Sequence, residues 1–317
     1  MIAHSLHFMH YGIIAAITAL TGLGVGIGQG LTANATMQAL DRQPAAKSDI
    51  ARSNLLALAL IETSSLIGLL FSMLLFLKVP STYYGTLAQL GIAAALAIPG
   101  FTLGIIASMP ARAAIMSIAR QPFLGKKIMN LMLLTQSLIQ TPLVFGFIIS
   151  LMIRNQLEMI HTLPDAMRLI ASGLCIALGS IGPAIGIGYF TRVACQSVGN
   201  NRLAYNKIFS FTLISQAIIE TPIIFAAVIA FWLSTAVTAG NTLPSLLYIA
   251  IAFVMGMGTF GTGISSGLTA AAACNQIAQH PAEYATISRA SIFTQAIIDT
   301  GAIYAFIVAI LLLLARF

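Results

Sequence analysis

Ile214-Ser-Gln-Ala-Ile-Ile-Glu-Thr-Pro222 sets one carboxylate, Glu220, inside a long apolar run: the nearest charge before it is Lys207, and no lysine or arginine follows before Arg289. An acid at the centre of a bilayer costs about 2.5–3.5 kcal/mol on insertion scales, so a helix that keeps one generally uses it. A protonated glutamic acid gluing two helices together is the competing account of a lone residue. The rest of the chain weighs against that account, because Glu62, Gln140, Glu220 and Asp299 stand in register at steps of 78, 80 and 79. Each is followed by threonine (Thr63, Thr141, Thr221, Thr300), and the last three are preceded, one helical turn earlier, by Gln136, Gln216 and Gln295. A fixed period of this kind defines a repeated unit. The acid is a property of the repeat.

Composition agrees with a membrane setting. With 58% hydrophobic residues, 7% charged residues and a mean hydropathy of +0.95, the chain falls outside the range of soluble domains. Eight apolar runs can be drawn, at roughly 11–40, 55–78, 86–118, 128–153, 167–197, 205–236, 246–277 and 286–315. All exceed the ~20 residues that a span requires. They predict an all-α membrane protein of eight continuous transmembrane helices in four tandem hairpins, with units 1–80, 81–160, 161–240 and 241–317.

The net charge of +7 does not indicate nucleic acid, because its distribution is that of a membrane protein. Arg42, Lys47, Arg52, Arg112, Arg120, Lys126, Lys127, Arg192, Arg202, Lys207 and Arg289 flank the loops within hairpins, whereas Lys78, Arg154, Arg168 and Arg316 lie on the other side. The positive-inside rule then places the hairpin loops in the cytoplasm and both termini outside. Cys175, Cys195 and Cys274 show no paired spacing and read as packing residues, with neither a disulfide nor a metal site expected. The first apolar run is too long for a signal peptide, and the first repeat needs it. His4, His7 and His10 share a helical face and read as an interfacial polar face. Trp232 and Tyr248 suit interfacial anchoring and ordinary packing alike.

The first helix carries Gly22-Leu-Gly-Val-Gly-Ile-Gly-Gln-Gly30. Gly22, Gly26 and Gly30 share one face, with Gly24 and Gly28 expected near it, so a neighbouring backbone can come very close. A phosphate loop would need a preceding strand and a following Lys-Ser/Thr, and both are missing. The helix ends at Arg42-Gln43-Pro44, and the returning helix bears Glu62. A glycine-striped helix, a short Arg-Gln-Pro loop and a returning helix with one central acid resemble the c subunit, or proteolipid, of F-type ATP synthases. The resemblance runs through the chain four times.

The later copies vary. The second keeps Arg120-Gln121-Pro122, has Gly100, Gly104 and Ser108 in the stripe, and carries Gln140 at the acid position. An amide cannot ionise, so this hairpin is expected to be ion-silent. The third has Gly182-Pro-Ala-Ile-Gly-Ile-Gly188 and the loop Asn200-Asn201-Arg202; the fourth has Gly267-Leu-Thr-Ala270 and the loop Gln279-His280-Pro281.

A carboxyl in apolar surroundings is pushed towards its neutral form, so it can hold a proton in lipid and release it beside water or a cation. The resemblance implies the rest. Several copies form a c-ring, Glu62, Glu220 and Asp299 carry the ion, and the a subunit of the stator exchanges it through a cationic residue. Central-stalk subunits meet the loops Arg42-Gln43-Pro44 and Arg120-Gln121-Pro122. Gln29, Thr63, Thr221, Thr300 and Ser266 are candidate supporting ligands. The cargo is read as H+, with no resident metal or other cofactor; Na+ is the alternative, since Gln29, Glu62 and Thr63 could supply oxygens. The expected location is a bacterial inner membrane, with lipid around the ring.

The chain has no nucleotide site and is not expected to hydrolyse ATP by itself. Two rivals stand beside the rotor reading: a proteolipid of V/A-type ATPases and a secondary transporter of parallel repeats. The transporter should show broken helices and a polar cavity near the midplane.

Overall fold

The computed structural model describes residues 2–235 and 245–314. Arg316, the part of the third connector at 236–244 where the third unit gives way to the fourth, and the side chain of His4 lie outside the described residues. The helices are α1 (Ile2–Arg42), α2 (Lys47–Phe76), α3 (Tyr83–Ile106), α4 (Ser108–Arg120), α5 (Gly125–Ile139), α6 (Thr141–Gln156), α7 (Leu163–Asn200), α8 (Tyr205–Thr235), α9 (Ser245–Gln279) and α10 (Tyr284–Leu314). They make eight spans long and apolar enough to cross a membrane, α3–α4 and α5–α6 each forming one. The protein is an integral, multi-pass membrane protein of four helical hairpins.

The hairpins stack side by side in two layers. One consists of α1, α3–α4, α7 and α9, each packed on the next; α2, α5–α6, α8 and α10 form the second. Glycine sets the spacing of the first layer. A Cβ on Gly104 would lie 2.6 Å from the carbonyl carbon of Gly24 and 2.7 Å from the Val25 nitrogen, so α1 and α3 touch backbone to backbone. The five glycines of α1 do not act together as expected. Gly24 and Gly28 pack on α3, while Gly22, Gly26 and Gly30 have nothing within 4 Å. At 3.6 residues per turn, a two-residue offset turns about 200° around the helix, so the two sets lie on opposite flanks.

The expected continuity of the helices fails in the second hairpin. Its first helix breaks at Ala107 and its second at Gln140, because Pro110 and Pro142 lack the N–H that the carbonyls of Ile106 and Leu138 would accept. Side chains take up carbonyls at both breaks. Thr141 Oγ1 donates to the Leu138 carbonyl at 2.7 Å, and Gln136 Nε2 donates to Ala107 O at 3.0 Å.

All four hairpin loops make one turn. Pro44, Pro122 and Pro281 each open a short 3-10 turn after their helix. The third loop has no proline, and there Asn201 Oδ1 accepts the Leu203 N–H at 3.0 Å, fixing the same turn through a side chain. At the opposite end, Thr82 and Thr162 cap α3 and α7, and Lys78 pairs with Glu158 at 3.3 Å across the first two connectors.

Two sequence expectations are corrected near this end. His10 is fully buried, so it is no part of an interfacial face, and Arg168 is 4% exposed although its position suggests an outward loop charge. The repeat explains both. His10, Gln89, Arg168 and Tyr248 follow one another at steps of 79, 79 and 80, and all four are buried. His10 Nδ1 hydrogen-bonds Gln89 Oε1 at 2.9 Å; Arg168 donates to the Leu233 carbonyl and to Gln156 Oε1. Burial of a charged group is tolerable only with such bonds.

Candidate functional site

The four registered positions lie along the second layer, at the seams between hairpins. In each seam a glutamine one turn before the acid position reaches the preceding hairpin. Gln136 Nε2 donates to Ala57 O at 3.4 Å, Gln216 Nε2 to Thr135 O at 3.3 Å, and Gln295 Nε2 to Ser215 Oγ at 3.2 Å. Hairpin 1 has Leu58 at this place. There Gln29 of α1 donates to the Leu58 carbonyl at 3.4 Å, holding the two helices of one hairpin together.

Gln140 illustrates how the acid position relates to its neighbour. Its Nε2 donates to Leu60 O at 3.3 Å, and its Oε1 accepts from Ser64 Oγ at 3.1 Å. The side chain thus faces the second helix of the hairpin before it. The carboxyl-bearing copies differ in burial according to whether such a neighbour exists. Asp299 is 7% exposed and accepts a hydrogen bond from Ser266 Oγ at 3.2 Å. Glu220 is half-buried, and its Oε1 is shielded from solvent with no hydrogen-bond partner. Glu62 is exposed. Among the described residues, no other hairpin packs against the first on this side.

The supporting residues named from sequence separate into two groups. Ser266 touches an acid. Thr63, Thr221 and Thr300 instead donate to carbonyls of their own helices, those of Ala59, Ala217 and Ile297. Gln29 likewise bonds backbone rather than Glu62. The loop residues Arg42, Gln43, Pro44, Arg120, Gln121 and Pro122 lie at the far end of the hairpins, clear of the acids. Sequence reasoning missed that Gln136, Gln216 and Gln295 are seam contacts. Their repeat spacing from Ala57, Thr135 and Ser215 carries that signal.

Comparison with known proteins gives the family. The family model for the C subunit of ATP synthase matches residues 13–75, 170–233 and 249–312, together more than half of the chain. These stretches contain the three carboxylates, and Gln140 falls between them. The ATP synthase c subunit of Chloroflexus aurantiacus (strain ATCC 29366 / DSM 635 / J-10-fl) is 37% identical over 67 residues, which is 21% of this chain and 88% of the relative. The c subunit from Dehalococcoides mccartyi (strain CBDB1) is 41% identical over 66 residues, 21% of this chain and 87% of the relative. That of Alkaliphilus oremlandii (strain OhILAs) is 39% identical over 66 residues, 21% and 75% respectively. One relative thus spans about one hairpin here. With its family match found in three of the four hairpins that the eight apolar helices form, the chain belongs to the ATP synthase c-subunit family.

Proposed function

We propose that the chain is the rotor subunit of a rotary ATP synthase, in which several copies close into a ring and Glu62, Glu220 and Asp299 carry protons across the membrane. The observation that carries this reading is the open first seam. Glu62 is the one registered carboxylate left exposed, and the same edge of the chain leaves Gly22, Gly26 and Gly30 uncovered.

The seams inside the chain supply the rule for a seam between copies. Gly104 packs on Gly24 and Val25, and Gly26 is the same position one repeat earlier. Gly261 is the counterpart of Gly24 in hairpin 4, and it too has nothing within 4 Å. In the ring, Gly26 of one copy meets Gly261 of the copy before it. By the same register, Glu62 faces Ile297 and Gly301 of that copy, as Gln140 faces Leu60 and Ser64. Both surfaces are used, head to tail, and such an interface closes into a ring when the rotation per copy divides a full turn.

Ions enter and leave each acid beside a stator subunit that bears a cationic residue, and the hairpin loops bear on the central stalk. The four loops share one backbone turn but differ in side chains, so stalk contacts change from hairpin to hairpin while the shape of the rim does not. The setting is a bacterial inner membrane, with the loops in the cytoplasm. Protons are favoured over sodium because a bare metal ion needs several oxygen ligands. Among the described residues, Ser266 is the hydroxyl that bonds a registered carboxylate.

Labelling with dicyclohexylcarbodiimide, which attacks protonated carboxyls in lipid, followed by peptide mapping, tests the proposal. The expected result is modification of the peptides holding Glu62, Glu220 and Asp299, suppressed by raised pH and indifferent to sodium. The Gln140 peptide stays unmodified. Protection by sodium would transfer the reading to a sodium ring, and absence of any labelling would remove the carrier role.

A further inference from the structure

At the loop end of the first layer, on the side away from α2, α5 and α8, lies a cavity of about 210 Å3. Its polar wall is Asn34 and Gln38 of α1, Arg112 and Arg120 of α4, and Arg192 and Gln196 of α7. No carboxylate lines it. Among the described residues the ion pair formed is Lys78–Glu158, at the other end of the hairpins, so three guanidinium groups converge here without an acid. Arg120 spends one N–H on Asn200 Oδ1, at 3.4 Å.

Arg112 and Arg192 occupy one position in successive repeats, which puts two like charges side by side on neighbouring helices at one depth. Both are exposed towards the cavity, and like charges on adjoining helices set up a positive field that draws an anion between them. Guanidinium is the side chain suited to that task, because its planar fork matches two oxygens of a phosphate at once. Asn34, Gln38 and Gln196 add amide donors around the same space.

Depth identifies the source of the phosphate. Arg112 stands eight residues from Arg120, about 12 Å of helix, so the cavity runs from the loop rim two turns into the span. Leu31 and Met109 continue its wall deeper, and that wall is apolar. A ligand that fits carries its negative charge at the depth of Arg112 and Arg192 and hydrocarbon beneath it. We propose that this cavity binds the phosphate head of an anionic phospholipid, with its acyl chains running inward along α1 and α4. The ring reading adds only that this face lines the ring's interior; the binding itself does not depend on ion transport.

Native mass spectrometry of the full chain, purified in its assembled state and stripped of lipid, tests this with phosphatidylglycerol or phosphatidylcholine added back. Phosphatidylglycerol is expected to stay bound at about ten-fold lower concentration than phosphatidylcholine. Arg112→Gln with Arg192→Gln abolishes that preference. Lys126→Gln with Lys127→Gln removes the same charge at the loop and leaves the preference intact. Arg192→Gln alone weakens it, which keeps the test available when the double variant fails to assemble. Equal retention of the two lipids, or a double variant that still prefers phosphatidylglycerol, would overturn the proposal. Displacement by millimolar inorganic phosphate would do so too, by making the ligand a soluble anion. The same spectrum weighs the assembly, so failure to form a ring is read separately from failure to bind lipid.

Discussion

Gly104→Val prevents the chain from folding, whereas Gly26→Val gives a folded chain that no longer assembles. The two glycines hold the same place in successive repeats and differ in what stands opposite. Behind Gly104 lies the backbone of Gly24 and Val25, which cannot move aside as a side chain can. Forcing a branched side chain into that contact costs at least about 3 kcal/mol, at the upper end of overpacking penalties, because two whole helices must separate. Gly26 has open space within 4 Å, so valine is accommodated in the single chain and obstructs only the approach of another copy. Circular dichroism melting in detergent separates the first outcome, with loss of the cooperative transition for Gly104→Val and retention for Gly26→Val. Native mass spectrometry separates the second, with the assembled fraction of Gly26→Val falling at least about ten-fold. Assembly of Gly26→Val at the wild-type level would refute the head-to-tail seam.

Gln140→Glu raises the number of ions moved per ATP. The chain has four registered positions and three carboxylates, so in the proposed rotor every fourth hairpin passes the stator without cargo. A rotor of this kind moves fewer ions for each ATP spent, and each ATP can then work against a steeper gradient, which favours pumping over synthesis. Restoring an acid in the second hairpin takes the carriers from three to four per chain, so the ratio rises by about a third. The substitution is compatible with the seam. A protonated glutamic acid can donate to the Leu60 carbonyl where the Gln140 amide does now, and its second oxygen can still accept from Ser64. Ion flux measured against ATP hydrolysis in reconstituted vesicles decides the point. A ratio unchanged by Gln140→Glu would mean that the acid position does not count ions.

Much of this is legible in the chain itself. The spans follow from hydropathy, and the acid register follows from the period, since a membrane helix keeps a carboxylate only where something requires it. The shape of the loops is less legible: Asn200-Asn201-Arg202 looks like drift from Arg-Gln-Pro, yet the Asn201 side chain restores the turn that proline makes elsewhere. The breaks at Ala107 and Gln140 have a signal in Pro110 and Pro142. Pro99, Pro183 and Pro222 are carried inside unbroken helices, so proline alone does not fix where a helix stops. Arg168 and His10 look like end-of-helix polar residues when read singly. Only their shared place in the repeat, with Gln89 and Tyr248, marks them as a buried layer. Which glycines face a neighbour in the chain and which face outward depends on helix rotation, which a list of glycines does not contain.

The uncovered flank of α1 and the uncovered flank of α9 give each molecule two unlike ends, and growth of the proposed rotor therefore has a direction. Of the four seams that each chain adds to the ring, three are tied by its own connectors, and one must be found by diffusion. A chain whose α1 flank is blocked still offers a sound α9 flank, so it can join a growing arc and stop it there. In a cell making both forms, each blocked chain acts as a terminator that spoils the sound chains already joined to it. A lesion at a single glycine in such a protein behaves genetically as dominant, out of proportion to its share of the pool.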